Sequence, residues 1–217
     1  MTTLKASLLV ILSPVLMTIV IVTCYILAVT YGHVPELLPY ICECGALPPE
    51  NYVYRMGMVT SAVLLILSCL LVYWADEDWA YAGYALLAGL SSVPGLTVAS
   101  VLSYKEDINV HILATFMFFI PYSIYMMLFG FCYDGKNLKI SIMSENVKKV
   151  CAIVMIVAVV ISAFLFLLTC LSAHSILKAV LEWVGSIAVG VFNMTFYSDL
   201  QKFKVKFFHV EDVKKSK

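Results

Sequence analysis

The chain has 217 residues, of which 62% are hydrophobic and 13% charged, and 14 basic side chains balance 14 acidic ones. A mean hydropathy of +0.96 excludes an ordinary soluble domain, and the balanced charge carries no nucleic-acid signature. Seven cysteines in so apolar a chain do not make a disulfide framework.

A helix needs about 20 apolar residues to cross roughly 30 Å of hydrocarbon. Six runs qualify, at 7–31, 55–74, 79–103, 110–132, 149–172 and 176–198. Continuous apolar stretches such as Val150 to Cys170 do not alternate with a period of two, which rules against a membrane β-barrel. The expected fold is an all-α membrane protein, one domain over residues 1–217, built as a bundle of six transmembrane helices.

The first run contains Pro14, which removes a backbone donor and is expected to kink that helix. It is too long for the apolar core of a signal peptide and lacks a small-residue cleavage site, so it is expected to remain as span one. The loop at 32–54 includes Ile41-Cys42-Glu43-Cys44-Gly45-Ala46-Leu47-Pro48-Pro49-Glu50. Its two prolines impose an extended approach to span two. Glu50 then falls near the N-terminal end of that helix, where a negative charge meets a positive dipole end. Cys42 and Cys44 are two apart, so a bond between them would be strained, and Cys170 is the alternative partner for either.

The turn after span two is acidic, Asp76-Glu77-Asp78. Span three carries Ala85, Gly89, Gly95, Ala99 and Ser103, a small-residue face that lets helices approach closely in lipid. Pro94 and Pro121 lie inside spans three and four, where each removes a backbone donor and is expected to kink its helix. Asn193 lies deep in span six. Its Asn-Met-Thr sequon cannot be glycosylated within a membrane helix, so an interhelical hydrogen bond is expected.

Lysines orient the bundle. Eleven of the 14 basic residues, including Lys5, Lys136, Lys139, Lys148, Lys149 and every lysine after residue 199, fall on one side. Only Arg55, Lys105 and Lys178 fall on the other. Cytosolic segments collect Lys and Arg, so both termini are expected in the cytosol and the 32–54 loop in the lumen.

The basic tail, 199–217, interleaves Lys202, Lys204 and Lys206 with Phe203, Phe207 and Phe208. That pattern suits a lipid interface, with rings in the headgroup layer and ammonium groups on anionic lipid. A positive flank that stops the last helix explains the lysines equally well. Lys214 and Lys215 have the spacing of a dilysine retrieval signal, which coat proteins read. Tyr197-Ser198-Asp199-Leu200 has the form of a tyrosine sorting motif, close to the membrane.

The first-loop motif of Ile41, Glu43, Gly45, Pro48, Pro49 and Glu50 resembles the DRAM (damage-regulated autophagy modulator) family of six-span membrane proteins. That family lies within a wider group that includes a GPI-anchor remodelling protein. Its usual Ser and Thr are here Cys42 and Cys44, and its Asp is Glu43. The likeness continues through His111, Glu182-Trp183, Tyr197, Asp199, Gln201 and Lys202. The resemblance implies an endomembrane protein, often lysosomal, that promotes autophagy, with relatives that regulate lipid kinases or take part in lipid remodelling. The retrieval pattern points instead to the ER and Golgi.

Six spans would carry Glu50, Arg55, His111, His174, Lys178 and Glu182 to one end of the bundle. Lys178 and Glu182 are one helical turn apart, a spacing at which acid and base can meet. A charge about six residues inside a span is expensive and usually faces partners or water. Three readings of this group are open: a structural ion-pair cluster, a pocket for a lipid headgroup, or a catalytic site with His111 as base. No nucleophile elbow and no metal-ligand spacing accompanies it, so neither a metal nor a cofactor is expected. Histidine titrates near neutral pH, which makes His111 and His174 candidate pH sensors in an acidic lumen.

The function expected is a non-enzymatic modulator of autophagy or membrane lipid organisation. The alternatives are a lipid-remodelling enzyme or its membrane cofactor using His111 and Glu182, and a transporter or channel subunit. The expected partners are membrane lipids and other membrane proteins, with coat-protein recognition of the C-terminal lysines as an option and no nucleic acid.

Overall fold

In the computed structural model, residues 4–138, 140–169, 176–206 and 209–212 are described. The chain runs β1 (Leu4–Lys5), α1 (Ala6–Val10), α2 (Leu12–Thr30), α3 (Ile41–Cys44), α4 (Glu50–Ala75), α5 (Ala82–Val101), α6 (Ile108–Phe131), α7 (Ile142–Thr169), α8 (Ile176–Asp199), β2 (Phe203–Lys206) and β3 (His209–Asp212). Among the described residues, six helices are long and apolar enough to cross a bilayer, counting α1 and α2 together as the first. The protein is therefore an integral membrane protein whose spans follow the six apolar runs. Two ends of the bundle result. The terminal pole carries both strand-forming chain ends, the turn after α4 and the connection from α6 to α7. The loop pole carries residues 31–49 and the connection from α5 to α6.

Local chemistry sets the helix ends. Pro14 sits in the first turn of α2, where its missing N–H would have had no intrahelical acceptor. It therefore restarts the helix after Ile11 instead of kinking a continuous one. Asp107 caps α6, its carboxylate accepting from the backbone N–H of Asn109 and Val110 at 3.0 and 3.1 Å. Pro94 and Pro121 are carried inside unbroken α5 and α6.

The small-residue face of α5 packs as its composition implied. A Cβ on Gly95 would lie 2.4 Å from the backbone N of Phe118 in α6, and one on Gly89 would lie 2.7 Å from Cys69 Sγ in α4. Glycine is what lets α5 seat between those two helices. The core centre is aromatic: Tyr122, Phe192 and Phe196 are all within 1% of full burial. Tyr122 donates its hydroxyl to Asn193 Oδ1 at 2.8 Å, joining α6 to α8.

The sequence reading needs three corrections. The spans are all helical, as expected, but the tail after them forms strands. β1 pairs antiparallel with β2, and β2 with β3, as a small sheet at the terminal pole. The alternation of Phe203, Lys204, Val205 and Lys206 has the period of a strand, and Phe203 is buried in the core rather than dipping into headgroups. Lys148 does not lie in a loop. α7 begins at Ile142, and Lys148 is enclosed within the bundle. Arg55, finally, pairs with Glu106, a partner the sequence reading did not name.

Candidate functional site

The first loop is bound down by α8. Glu182 is the anchor: its two carboxylate oxygens accept from the backbone N–H of Ile41 at 2.9 Å and of Cys42 at 3.3 Å. A carboxylate placed on the first N–H groups of α3 satisfies donors that no helical turn can reach. The neighbouring Trp183 donates its indole N–H to the Pro39 carbonyl at 2.8 Å. Consecutive residues of one helix thus grip both ends of the 39–42 segment.

The loop motif has a steric logic. Gly45 lies flat against Tyr54 of α4, whose ring carbon would be 2.2 Å from any Cβ placed there. The Pro48–Pro49 peptide is cis, and α4 starts immediately after it at Glu50. Glu43 accepts from the backbone N–H of Tyr40 at 3.2 Å. Glu50 is fully buried and lies 2.5 Å from Nδ1 of His33, whose side chain is 26% exposed. His33 was missing from the sequence reading. The signal for it was its place in the same loop, where a buried carboxylate of the adjoining helix needs a cation or donor.

Arg55 pairs with Glu106 at 2.8 Å, both partly exposed. Glu106 also accepts from the backbone N–H of Ser103. That N–H, and then the Arg55 guanidinium, hold its carboxyl below the usual range. This pair fastens the start of α4 to the 102–107 connection and forms a site of its own.

His111, Lys178 and Glu182 do come together. They border a cavity of about 390 Å³ between α6, α7 and α8, roofed by Tyr40, Cys42 and Glu43 and flanked by Tyr104. His174 lies outside the described residues. Below this polar end the walls are Phe116, Phe119, Met155, Val159 and Phe166. The cavity follows α6 from Ile108 to Phe119, roughly 17 Å at 1.5 Å per residue. That depth is close to one leaflet of a hydrocarbon core about 30 Å thick. A smaller void of about 50 Å³ lies inward, sharing His111, Thr115, Cys42 and Glu182 with the first.

The polar end has a definite electrostatic character. Nδ1 of His111 is 2.8 Å from the Leu102 carbonyl oxygen. A carbonyl cannot donate, so Nδ1 carries the hydrogen and, in the neutral ring, Nε2 is an acceptor. Burial, and then the charges of Glu182 and Glu43, push the Cys42 thiol well above its ordinary value. Burial, and then Glu43, raise Tyr104 to about 12. Cys44 is likewise raised to about 12 by burial, with Glu182 next. Cys42 and Cys44 are free thiols, and Cys170 lies outside the described residues.

The terminal pole is built differently. Lys148 Nζ lies 2.5 Å from Asp199 Oδ2, and both side chains are fully buried. The Ser144 hydroxyl accepts from Lys148 at 2.8 Å and donates to Asp199 at 3.1 Å. The ammonium also stands 4.5 Å over the Phe196 ring. Nearby, Asp76 accepts from the Tyr133 hydroxyl and from the backbone N–H of Asn137. Sequence reasoning placed Lys148 and Asp199 at the membrane boundary and missed their pairing. In the tail, Lys202 lies 4.9 Å over the Phe203 ring, and Lys204 and Lys206 belong to β2. Lys214 and Lys215 lie outside the described residues.

Comparison with known proteins places these features in a family context. The sequence profile of the Frag1/DRAM/Sfk1/Cwh43P N-terminal domain matches residues 5–203. Transmembrane protein 150A of Mus musculus is 25% identical over 168 residues, which cover 73% of this chain and 60% of the mouse protein. The match thus spans less than two thirds of that relative's length. No solved structure matches the chain.

Proposed function

The chain belongs to the Frag1/DRAM/Sfk1/Cwh43P N-terminal domain family, and on that premise we propose that it modulates membrane lipid organisation by holding a lipid between α6, α7 and α8. The carrying observation is the grading of the cavity's walls. Polar side chains gather at the loop-pole end and apolar ones fill the leaflet-deep remainder. A lipid has the same division, with a hydrated head and an apolar chain. The volume of about 390 Å³ lies in the range of small-molecule sites.

A binding role is favoured over chemistry because the candidate carboxylate and thiol are already committed. Glu182 is occupied by two backbone donors, and His111 Nδ1 by a carbonyl. The Cys42 thiol is held protonated by burial and nearby carboxylates, the opposite of an activated nucleophile. Both termini are assigned to the cytosol by the lysine distribution, which puts the cavity's polar end in the lumenal leaflet. Autophagy is the process, and a lysosomal or other endomembrane the place, that the family resemblance implies.

Native mass spectrometry of the detergent-purified protein tests the proposal. The wild-type chain is expected to retain co-purified phospholipid. Ser162→Trp, which projects from α7 into the cavity, is expected to lose it while eluting as a folded monodisperse species. Equal lipid retention by that variant would place the lipid elsewhere and remove the cavity from the function.

A further inference from the structure

A second cavity opens between α6 and α7, toward the terminal pole. Its volume is about 300 Å³, and its walls include Ile120, Ile124, Leu128, Ile156 and Val160. On α6 the wall recurs at residues 120, 124, 128 and 132, the spacing of one helix face. From Ile120 to Cys132 it runs roughly 18 Å at 1.5 Å per residue. That is close to one leaflet of a hydrocarbon core about 30 Å thick. Among the described lining residues Ser123 carries the one hydroxyl, and it donates to the Phe119 carbonyl at 2.6 Å. None of them carries a charge. Such walls suit a hydrocarbon chain and offer nothing to a headgroup.

One end of this groove is chemically marked. Cys132 borders it, one residue past Phe131, where the span ends. Among the described cysteines it is the exposed one. Its backbone is held on both sides: the N–H donates to the Leu128 carbonyl at 3.0 Å, and the carbonyl accepts from the Trp79 indole at 3.3 Å. A free acyl chain gains little by leaving lipid for an apolar groove, since both surroundings are apolar. A covalent tether at the mouth supplies instead a high local concentration of chain.

We infer that Cys132 is an S-acylation site whose fatty acyl chain lies in the groove between α6 and α7. The lysine distribution assigns this pole to the cytosol, where a thiol stays reduced and a juxtamembrane cysteine is open to acylation. The Cys132 thiolate attacks the carbonyl carbon of a long-chain acyl-coenzyme A. A carbon–sulfur bond forms to Cys132 as the one to coenzyme A breaks. The proton lost by Cys132 ends on the departing coenzyme A thiol, and nothing is oxidised or reduced. The thioester stays at the membrane boundary and the methylenes run along α6. This assignment does not rest on the proposed lipid site, although Val159 borders both cavities.

The test uses the full-length chain expressed in cultured animal cells. The cells are fed a palmitate analogue that carries an alkyne and a photoreactive diazirine. The wild-type chain is expected to carry the label on the peptide containing Cys132, released by neutral hydroxylamine. Cys132→Ser is expected to lose that label to background. On irradiation the wild-type label is expected to cross-link to residues 120–128 and 156–160. Absence of hydroxylamine-sensitive label, or label that survives Cys132→Ser, overturns the site. Label on Cys132 with cross-links spread over other helices overturns the seating of the chain in the groove. Peptide mapping and cross-linking both use the wild-type chain, so the test stands even if the variant fails to fold.

Discussion

At the terminal pole, Lys148 and Asp199 are fully enclosed, 2.5 Å apart and bridged by Ser144. At the loop pole, Glu43, His111 and Lys178 border a cavity of about 390 Å³. Both regions place ionisable groups where the spans meet the membrane boundary, yet they solve the desolvation problem differently. A buried charge is tolerable when an opposite charge and hydrogen bonds replace its water. The terminal pole does this with protein alone, tying the start of α7 to the end of α8. The loop pole sets its polar groups at the rim of a cavity. The contrast separates a buried fastener from the rim of a cavity, although both were the same kind of signal in the sequence: charges near span ends.

The largest expected effect tests the fastener. Lys148→Ala leaves Asp199 buried without its partner, a loss of about 3–5 kcal/mol for a broken buried pair. The yield of folded protein on size-exclusion chromatography is expected to collapse. Lys148→Met with Asp199→Leu removes both charges and is expected to restore most of that yield. Failure of the double variant to recover would mean that the pair does more than hold helices together.

A smaller effect is expected at the loop anchor. Glu182→Gln keeps one good acceptor but loses one of the two that serve the α3 N–H groups, at about 1 kcal/mol for a typical intramolecular hydrogen bond. Hydrogen exchange is expected to rise in residues 39–45 and stay unchanged at the 76–81 turn and in 142–148. Uniform protection across both poles would show that Glu182 does not hold the cavity roof.

The smallest effect belongs to Arg55 and Glu106, a pair open to solvent and weakened by salt. The Glu106 carboxyl is held below its ordinary value of 4.5. Its contribution is therefore complete above that value and disappears as pH falls through the lower folded-state value. Glu106→Gln is expected to change the melting temperature slightly and equally at pH 7 and pH 5, with the difference closing only below pH 4.5. A difference that closes between pH 7 and 5 would mean that another group supplies it.

The sequence revealed the helices better than the site. Every apolar run became a span, and the small face of α5 met α6 and α4 where Gly95 and Gly89 allow it. Of the polar residues assigned to one end, His111, Lys178 and Glu182 meet at the cavity, whereas Arg55 pairs with Glu106 outside it. His33 escaped notice because its partner Glu50 lies 17 positions away, so their shared loop was the one clue to the pairing. The strand in the tail escaped because Phe203 and Lys204 suit a membrane interface as well as a sheet. Only pairing with Leu4 and Lys5, at the far end of the chain, distinguishes the two.

Amino-acid order alone determined that this chain crosses the membrane in six helices, because the preference of about 20 consecutive apolar residues for hydrocarbon is local and additive. The tertiary structure alone decided which charges fasten and which face a void. Glu182 reaches Ile41 across 141 positions, and Lys148 reaches Asp199 across 51. Contacts of that range depend on how helices are arranged around one another, which the apolar pattern of each helix leaves open.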